Sequence, residues 1–306
     1  MTIVSTSTSA FYDRSVMGMQ DLRAQAETLQ SSLASGQRLS RSSDDPVAAA
    51  RMRQLTREDS FSAIDTVNAQ RATTDLQLTD GALSSFAGYV TRVKELALQA
   101  ATGTLTAAQR AGIGTEISAF RQNLMALANS RDAAGHALFG GETAATAYTS
   151  DGAGNAVYGG TATAGELSLG EGRSVARGLT GPEFLNFSVG SNPTDLMAVI
   201  KTLGDALLTG APDPQTAAHD SLDALDTSLD KITTAQTVVG SRLAWIELTT
   251  ERRIEQSEMR ADEEAQVGGT DIAATVAQLQ QTMIVLEASQ ASFAKLAGLS
   301  LFNLLR

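Results

Sequence analysis

Two histidines are the only imidazoles in this 306-residue chain, and neither stands where histidine chemistry would need it. His219-Asp220-Ser221 contains the residue types of a hydrolytic triad. Sequence neighbours on one helix point in different directions, however, and cannot form a chain of nucleophile, base and orienting acid. His136, within Gly135-His136-Ala137-Leu138-Phe139-Gly140-Gly141, reads as a packing or turn residue between glycines. Gly152-Ala153-Gly154 and Gly170-Glu171-Gly172 are fragments of glycine loops without the strand-loop-helix frame or the downstream acid of a dinucleotide site, so they are turns. Cysteine is absent, which removes disulfides and thiolate metal sites, and two histidines make a histidine metal centre unexpected. The sequence therefore predicts no catalytic residue, no cofactor and no metal.

Residues that could associate are more plentiful than residues that could react. Aromatic side chains make up 5% of the chain and the apolar content leans on Ala and Leu, which favours helix packing over an aromatic-rich globule. The formal charge of -11 is uneven. Residues 132 to 231 carry thirteen Asp and Glu against four Lys and Arg, while residues 1 to 60 balance seven against seven. An acidic, solvated middle argues against nucleic-acid binding. The mixed charges from Glu251 to Glu264 read first as a solvated helix face, with an intersubunit contact as the alternative. No apolar run of about eighteen residues exists, so no membrane span is expected. Met1 to Thr6 has no basic region followed by an apolar stretch, so a secretory signal peptide is not expected either.

The elements that would position associating residues are long helices. In the last stretch, from Asp271, Ile272, Val276, Leu279, Met283, Leu286, Gln290, Phe293 and Ala297 recur in steps of four and three, the seam of a helix that packs on other helices. Leu299, Leu301, Phe302, Leu304 and Leu305 form a short apolar tail beyond Gly298. At the other end Thr8, Tyr12, Ser15, Met19, Leu22, Ala26, Leu29 and Leu33 step alike, with Phe11 and Val16 widening the face. Each of these helices alone would be marginal. The two chain ends are expected to pair with each other and with neighbouring copies.

Between them the chain reads as helix, glycine-rich excursion, helix. Gly36 is placed to stop the first helix, Asp44 or Asp45 to cap the next, and Pro46 to occupy its first position. A long helix follows to about Ala101, with Leu76, Asp80, Leu83, Ala87, Val90, Lys94 and Ala97 as its seam, flanked by Phe86 and Val93. Thr106 to Gln109 has capping-box form and opens a third helix. Residues 130 to 190 hold thirteen of the twenty-six glycines and short apolar pieces such as Ala137-Leu138-Phe139 and Ala156-Val157-Tyr158, which predicts a small β-rich domain. A short helix from about Asp195 to Leu208 precedes a second long one, with Leu222, Leu225, Leu229, Ile232, Gln236, Val239, Leu243, Ile246 and Thr250 as seam. The expected fold is mainly α, an elongated antiparallel helical bundle formed by both chain ends with a β-rich insertion in the middle. Its expected domains are 1–42 with 266–306, 43–131 with 193–265, and 132–192.

Several segments together resemble the flagellin superfamily. Ser35-Gly36-Gln37-Arg38 followed by Ser43-Asp44-Asp45-Pro46-Val47-Ala48-Ala49 is similar to a family signature that filament-forming members usually write Asp-Asp-Ala-Ala-Gly. Pro46 favours the branch that joins hook to filament; the alternative is a flagellin that forms the filament itself. Gly135 to Gly141 resembles the family's approach to its outer domain, Val239-Gly240-Ser241-Arg242-Leu243 its descending helix, and Glu287 to Lys295 with Leu299 to Leu304 its C-terminal end. The likeness spans nearly the whole chain except about 142–192.

What the resemblance implies is a structural protein and not an enzyme, exported by the flagellar type III route and located outside the cell in the flagellum. It implies ring assembly with copies of itself, hook-associated protein 1 and flagellin as neighbours, an export chaperone, and neither nucleic acid nor membrane insertion. The residues expected to carry assembly are Phe11, Met19, Leu22, Leu29, Leu33, Ile272, Val276, Leu279, Met283, Leu286, Phe293, Leu299 and Phe302, and the signature loop is Gly36, Arg38, Asp44, Asp45 and Pro46.

Overall fold

The computed structural model describes residues 3–143, 145–210 and 213–304, with the side chains of 3–9 and 297–304 left undescribed. In chain order the elements are α1 (Ile3–Ser35), α2 (Pro46–Ala101), α3 (Ala107–Ala128), β1 (Tyr148–Ser150), β2 (Ala156–Tyr158), β3 (Glu166–Gly170), β4 (Arg173–Ala176), α4 (Gly181–Leu185), β5 (Asn186–Val189), β6 (Asn192–Asp195), α5 (Leu196–Thr209), α6 (Pro214–Gly268) and α7 (Ile272–Leu304). The molecule is mainly α with a small strand-bearing middle. By its contacts the chain divides into two units, one joining Met1–Ser60 to Glu255–Arg306, the other Phe61–Ile254. The region 132–192, expected as a domain of its own, falls within the second.

Caps account for several boundaries. The Thr106 side chain accepts from the Gln109 amide while Gln109 reaches back to the Thr106 amide, the reciprocal box that starts α3. Asp195 caps α5 through the Ala198 amide, and Gly210, at φ 73°, ends it in the left-handed conformation that glycine adopts without penalty. The expected tail after Gly298 is instead helical, because α7 runs through that glycine to Leu304.

The second unit holds most of the core. Phe86 of α2, Phe139 and Phe184 of α4 are fully buried and meet edge-on or tilted, with ring centroids 5.0 to 6.0 Å apart. Phe139 belongs to the glycine-flanked segment, yet Ala137 to Phe139 is not a regular strand; only an isolated bridge joins Arg131 to Ala137. The strands form three separate antiparallel pairs, β1 with β2, β3 with β4, and β5 with β6. The β3–β4 hairpin is held at its backbone, where Asn68 of α2 donates to the Ser168 carbonyl at 3.1 Å and Arg253 of α6 to the Leu169 carbonyl at 2.6 Å.

The buried faces of the long helices are centred on a three-four alternation that lies one residue away from the expected seam at about every second position. In α2 the buried positions include Ala69, Ala72, Leu76, Thr79, Leu83, Phe86, Val90, Val93, Ala97 and Ala100, with Asp75, Ala82 and Leu96 beside them, so Thr79 takes the place expected for Asp80, and Phe86 and Val93, expected to flank the seam, stand in it in place of Ala87 and Lys94. In α6 they include Ser221, Leu225, Ser228, Ile232, Ala235, Val239, Ile246 and Thr249, so Leu225, Ile232, Val239 and Ile246 stand as expected. Ser221, Ser228, Ala235 and Thr249 replace the residues that follow them. Three hydroxyls of this seam are satisfied by the helix itself: Thr79 donates to the Asp75 carbonyl, Ser221 to Ala218 and Thr249 to Trp245, each at 2.8 Å, while the buried Ser228 hydroxyl has no partner among the described residues.

Candidate assembly surface

The first unit is built on the pairing of α1 with α7, antiparallel because Tyr12 meets Phe293 near one end and Gly36 meets Thr270 at the other. On α1, Tyr12, Ser15, Met19, Leu22, Ala26, Leu29 and Leu33 are buried or half-buried, the face expected from the spacing. The Tyr12 and Phe293 rings stand edge to face at 5.4 Å, and the Tyr12 hydroxyl donates to the Leu296 carbonyl at 3.3 Å. On α7 the sheltered positions are Thr275, Leu279, Thr282, Leu286, Ser289 and Phe293. Leu279, Leu286 and Phe293 thus face α1. Thr282, which spacing among aliphatic residues did not find, is buried beside them and donates to the Gln278 carbonyl at 2.8 Å.

Ile272, Val276 and Met283 do not share that face. Ile272 is 65% exposed and Met283 53%, and they form with Val276 an apolar strip displaced around the helix from the α1 contact. Phe11 on α1, and Ile284, Val285 and Leu296 on α7, are exposed as well. The residues grouped in the sequence as one seam therefore occupy two surfaces, one joining α1 to α7 and one open. Leu299 and Phe302 lie outside the residues whose side chains are described.

The signature loop fastens the root of this pair. Gln37 and Gly269 form an antiparallel bridge, flanked by the Arg38 amide donating to the Gly268 carbonyl at 2.8 Å and the Thr270 amide to the Gly36 carbonyl at 2.9 Å. Gly36 makes the reversal at φ 70°. The Arg38 guanidinium donates to the Val267 carbonyl at 3.0 Å and to Asp45 at 3.3 Å, so one side chain ties this loop to both long helices. Asp44 gathers the Arg41 amide at 2.8 Å, the Ser40 amide at 3.2 Å and the Ser40 hydroxyl at 3.0 Å, and the Arg41 N–H first among these holds its carboxyl below the usual range. Asp45 accepts from the Ala48 amide at 3.0 Å, which likewise lowers its carboxyl and caps α2 immediately before Pro46. Pro46 is the first helical residue, where its missing N–H costs nothing.

Charge pairs continue along the same unit. Arg51 engages Glu263 through both nitrogens of one edge, at 2.5 and 2.7 Å, and this bond holds Glu263 below its usual range. Arg260 donates to Asp59 at 2.7 Å. Part of the charge-dense run expected as a solvated face is thus spent on pairing α6 with α2 within this unit.

No constellation of reacting groups accompanies these contacts. His219 Nδ1 is 4.0 Å from Asp220, both are well exposed, and the Ser221 hydroxyl donates to the Ala218 carbonyl. Among the described residues no group of three His, Asp or Glu is spaced to hold a metal ion, and no helix is long and apolar enough to cross a membrane.

Comparison with known proteins places this arrangement. Residues 5–144 match the family described as the bacterial flagellin N-terminal helical region. Over 319 residues the chain is 27% identical to flagellar hook-associated protein 3 of Escherichia coli, covering 97% of this chain and 98% of that protein. It is 24% identical over 318 residues to the protein of the same name from Salmonella typhimurium, covering 98% and 99%. A solved structure described as a flagellar hook-associated protein from Vibrio parahaemolyticus superposes with a TM-score of 0.67 at 25% identity, over 74% of this chain and all of the other.

Proposed function

We propose that this chain, which is similar to hook-associated protein 3 along nearly its whole length, is a member of the flagellin superfamily and the structural adaptor at the hook-filament junction of the bacterial flagellum. The observation that carries the reading is this coverage: both relatives align over 97% or more of this chain, so the likeness is to a whole junction protein and not to a shared helix alone. Copies form a ring, seated on hook-associated protein 1 and receiving flagellin on the other side. The chain reaches that place by the flagellar type III route with the help of an export chaperone. Support for assembly through the chain ends comes from the open strip of Ile272, Val276 and Met283, an apolar surface left exposed among the described residues. Residues 132–192, which the contacts group with the second unit, are the segment this reading assigns to the outer part of the subunit.

The alternative is a flagellin that builds the filament itself, favoured by the family match at residues 5–144. Electron microscopy of cells lacking the gene, with flagellin assayed in the medium, separates the two. Bare hooks with flagellin shed into the medium are expected of an adaptor. Filaments that persist, shorter or altered, would overturn it in favour of one flagellin among several.

A further inference from the structure

In the second unit, just beyond β4, the guanidinium of Arg177 turns one edge to two carboxylates. Nε donates to Asp75 Oδ2 at 3.1 Å and Nη2 to Asp132 Oδ2 at 2.5 Å. Asp75 comes from α2 and Asp132 from the segment after α3, and their side chains are only 6% and 3% exposed. This edge of a guanidinium matches the two oxygens of a single carboxylate. Here it carries one oxygen from each of two, so like charges are held side by side with little water between them.

The surrounding charges do not remove the excess. Arg71, on α2 with Asp75, acts on it through space without an ion pair. Arg242 of α6, beside the cluster, is spent on the Gly178 carbonyl at 2.6 Å, and Arg131 donates to the Gly135 carbonyl at 2.5 Å. His136 brings Nδ1 to 3.4 Å from Asp132 Oδ2 from a half-exposed position. The two carboxylates are unequal. Asp132 accepts the amides of Ala134 at 2.9 Å and His136 at 2.8 Å, and although burial opposes its charge, these bonds and Arg177 hold its carboxyl below the usual range. Asp75 accepts no backbone amide, and burial foremost, with the charge of Asp132 added against the pull of Arg177, pushes it up.

We propose that Asp75, Asp132 and Arg177 form a proton-loaded clasp, in which a single proton taken up on Asp75 fastens the Asp132 segment and the end of β4 to α2. The sign follows from the raised group. Its contribution to stability is complete below the ordinary value of 3.8 and is lost as pH rises through the higher value in the folded chain. Acid therefore tightens the clasp, and a pH above the raised value loosens it.

The test uses the full chain and its Asp75→Asn variant, which keeps the shape of the protonated acid and cannot ionise. Carbon-13 spectra of the Asp75 carboxyl are expected to give a midpoint above 3.8. The unfolding midpoint of Asp75→Asn relative to the parent should rise with pH through the range in which the Asp75 carboxyl titrates, by the linkage of up to about one proton. An Asp75 carboxyl that titrates at or below 3.8 overturns the clasp, whatever the variant does. So does a stability difference between the two chains that stays constant across that pH range, the result of a merely structural hydrogen bond.

Discussion

At Gly36 the chain must reverse, and a φ of 70° with an obligatory carbonyl bond to Thr270 leaves little choice of residue. A Cβ there would meet no neighbour within 4 Å, so a substitution is opposed by the backbone and not by crowding. Left-handed backbone costs a residue other than glycine roughly 1–2 kcal/mol, with Asn among the better tolerated. Gly36→Ala is therefore expected to destabilise the first unit by about 1 kcal/mol, and Gly36→Asn by less. Faster hydrogen exchange at the Arg38 and Thr270 amides, with unchanged exchange in α3, would report it; equal exchange in Gly36→Ala and the parent would refute it. The sequence allowed this reading because glycine, Asp45 and Pro46 each declare their position through backbone chemistry. Nothing in residue types announced that Arg38 reaches the Val267 carbonyl, a contact between distant parts of the chain that only the fold creates.

For the elements, the sequence located the long helices and most of their ends, missing that Ala137 to Phe139 forms no regular strand and that α7 continues past Gly298, and it set the buried face correctly at about every second seam position. The other positions slipped by one residue in α2, α6 and α7, and where the buried residue carries a hydroxyl the reason is chemical. Reading by apolarity passes over Thr79, Ser221, Thr249 and Thr282, yet a hydroxyl that bonds its own preceding turn is as buriable as a small aliphatic group. In α7 the slip has a functional consequence, because it merged the face on α1 with the open strip. Leu286 is 8% exposed and Met283 53%. Leu286→Ala should cost about 2 kcal/mol, the lower end for a buried leucine in a thinly covered interface. Met283→Asp should change the stability of the isolated chain by no more than about 0.5 kcal/mol, as an exposed position does. If the open strip carries assembly, Met283→Asp nevertheless fails to enter the flagellum. Normal incorporation of a soluble Met283→Asp chain would remove Met283, and the strip with it, from the assembly surface.

Over the whole molecule, burial is divided unequally between the two units, and that division predicts where the isolated chain opens. Among the described residues the first unit fully shelters few apolar side chains, chiefly Ala26, Ala48, Ala49, Leu55 and Leu286, most of them small. The second contains the three-phenylalanine cluster and the continuous buried face of α2 from Ala69 to Ala100. A large aliphatic side chain contributes ~1.5–3 kcal/mol when fully buried, whereas fixing each residue's backbone costs ~1–2 kcal/mol, so a helix pair sheltered mainly by half-buried and small residues lies near balance. Local opening follows such differences in packing. In the isolated chain, amides of α1 and α7 should therefore exchange faster than those of α2 between residues 72 and 100. After assembly, protection should rise most in α1 and α7, because covering the exposed Ile272, Val276 and Met283 adds the burial that the pair lacks on its own. Hydrogen exchange on the same chain before and after incorporation measures both. Protection of residues 10 to 33 in dilute solution equal to that of α2 would mean that α1 and α7 are already complete without a neighbour, and the energetic argument for their ordering on assembly would fail.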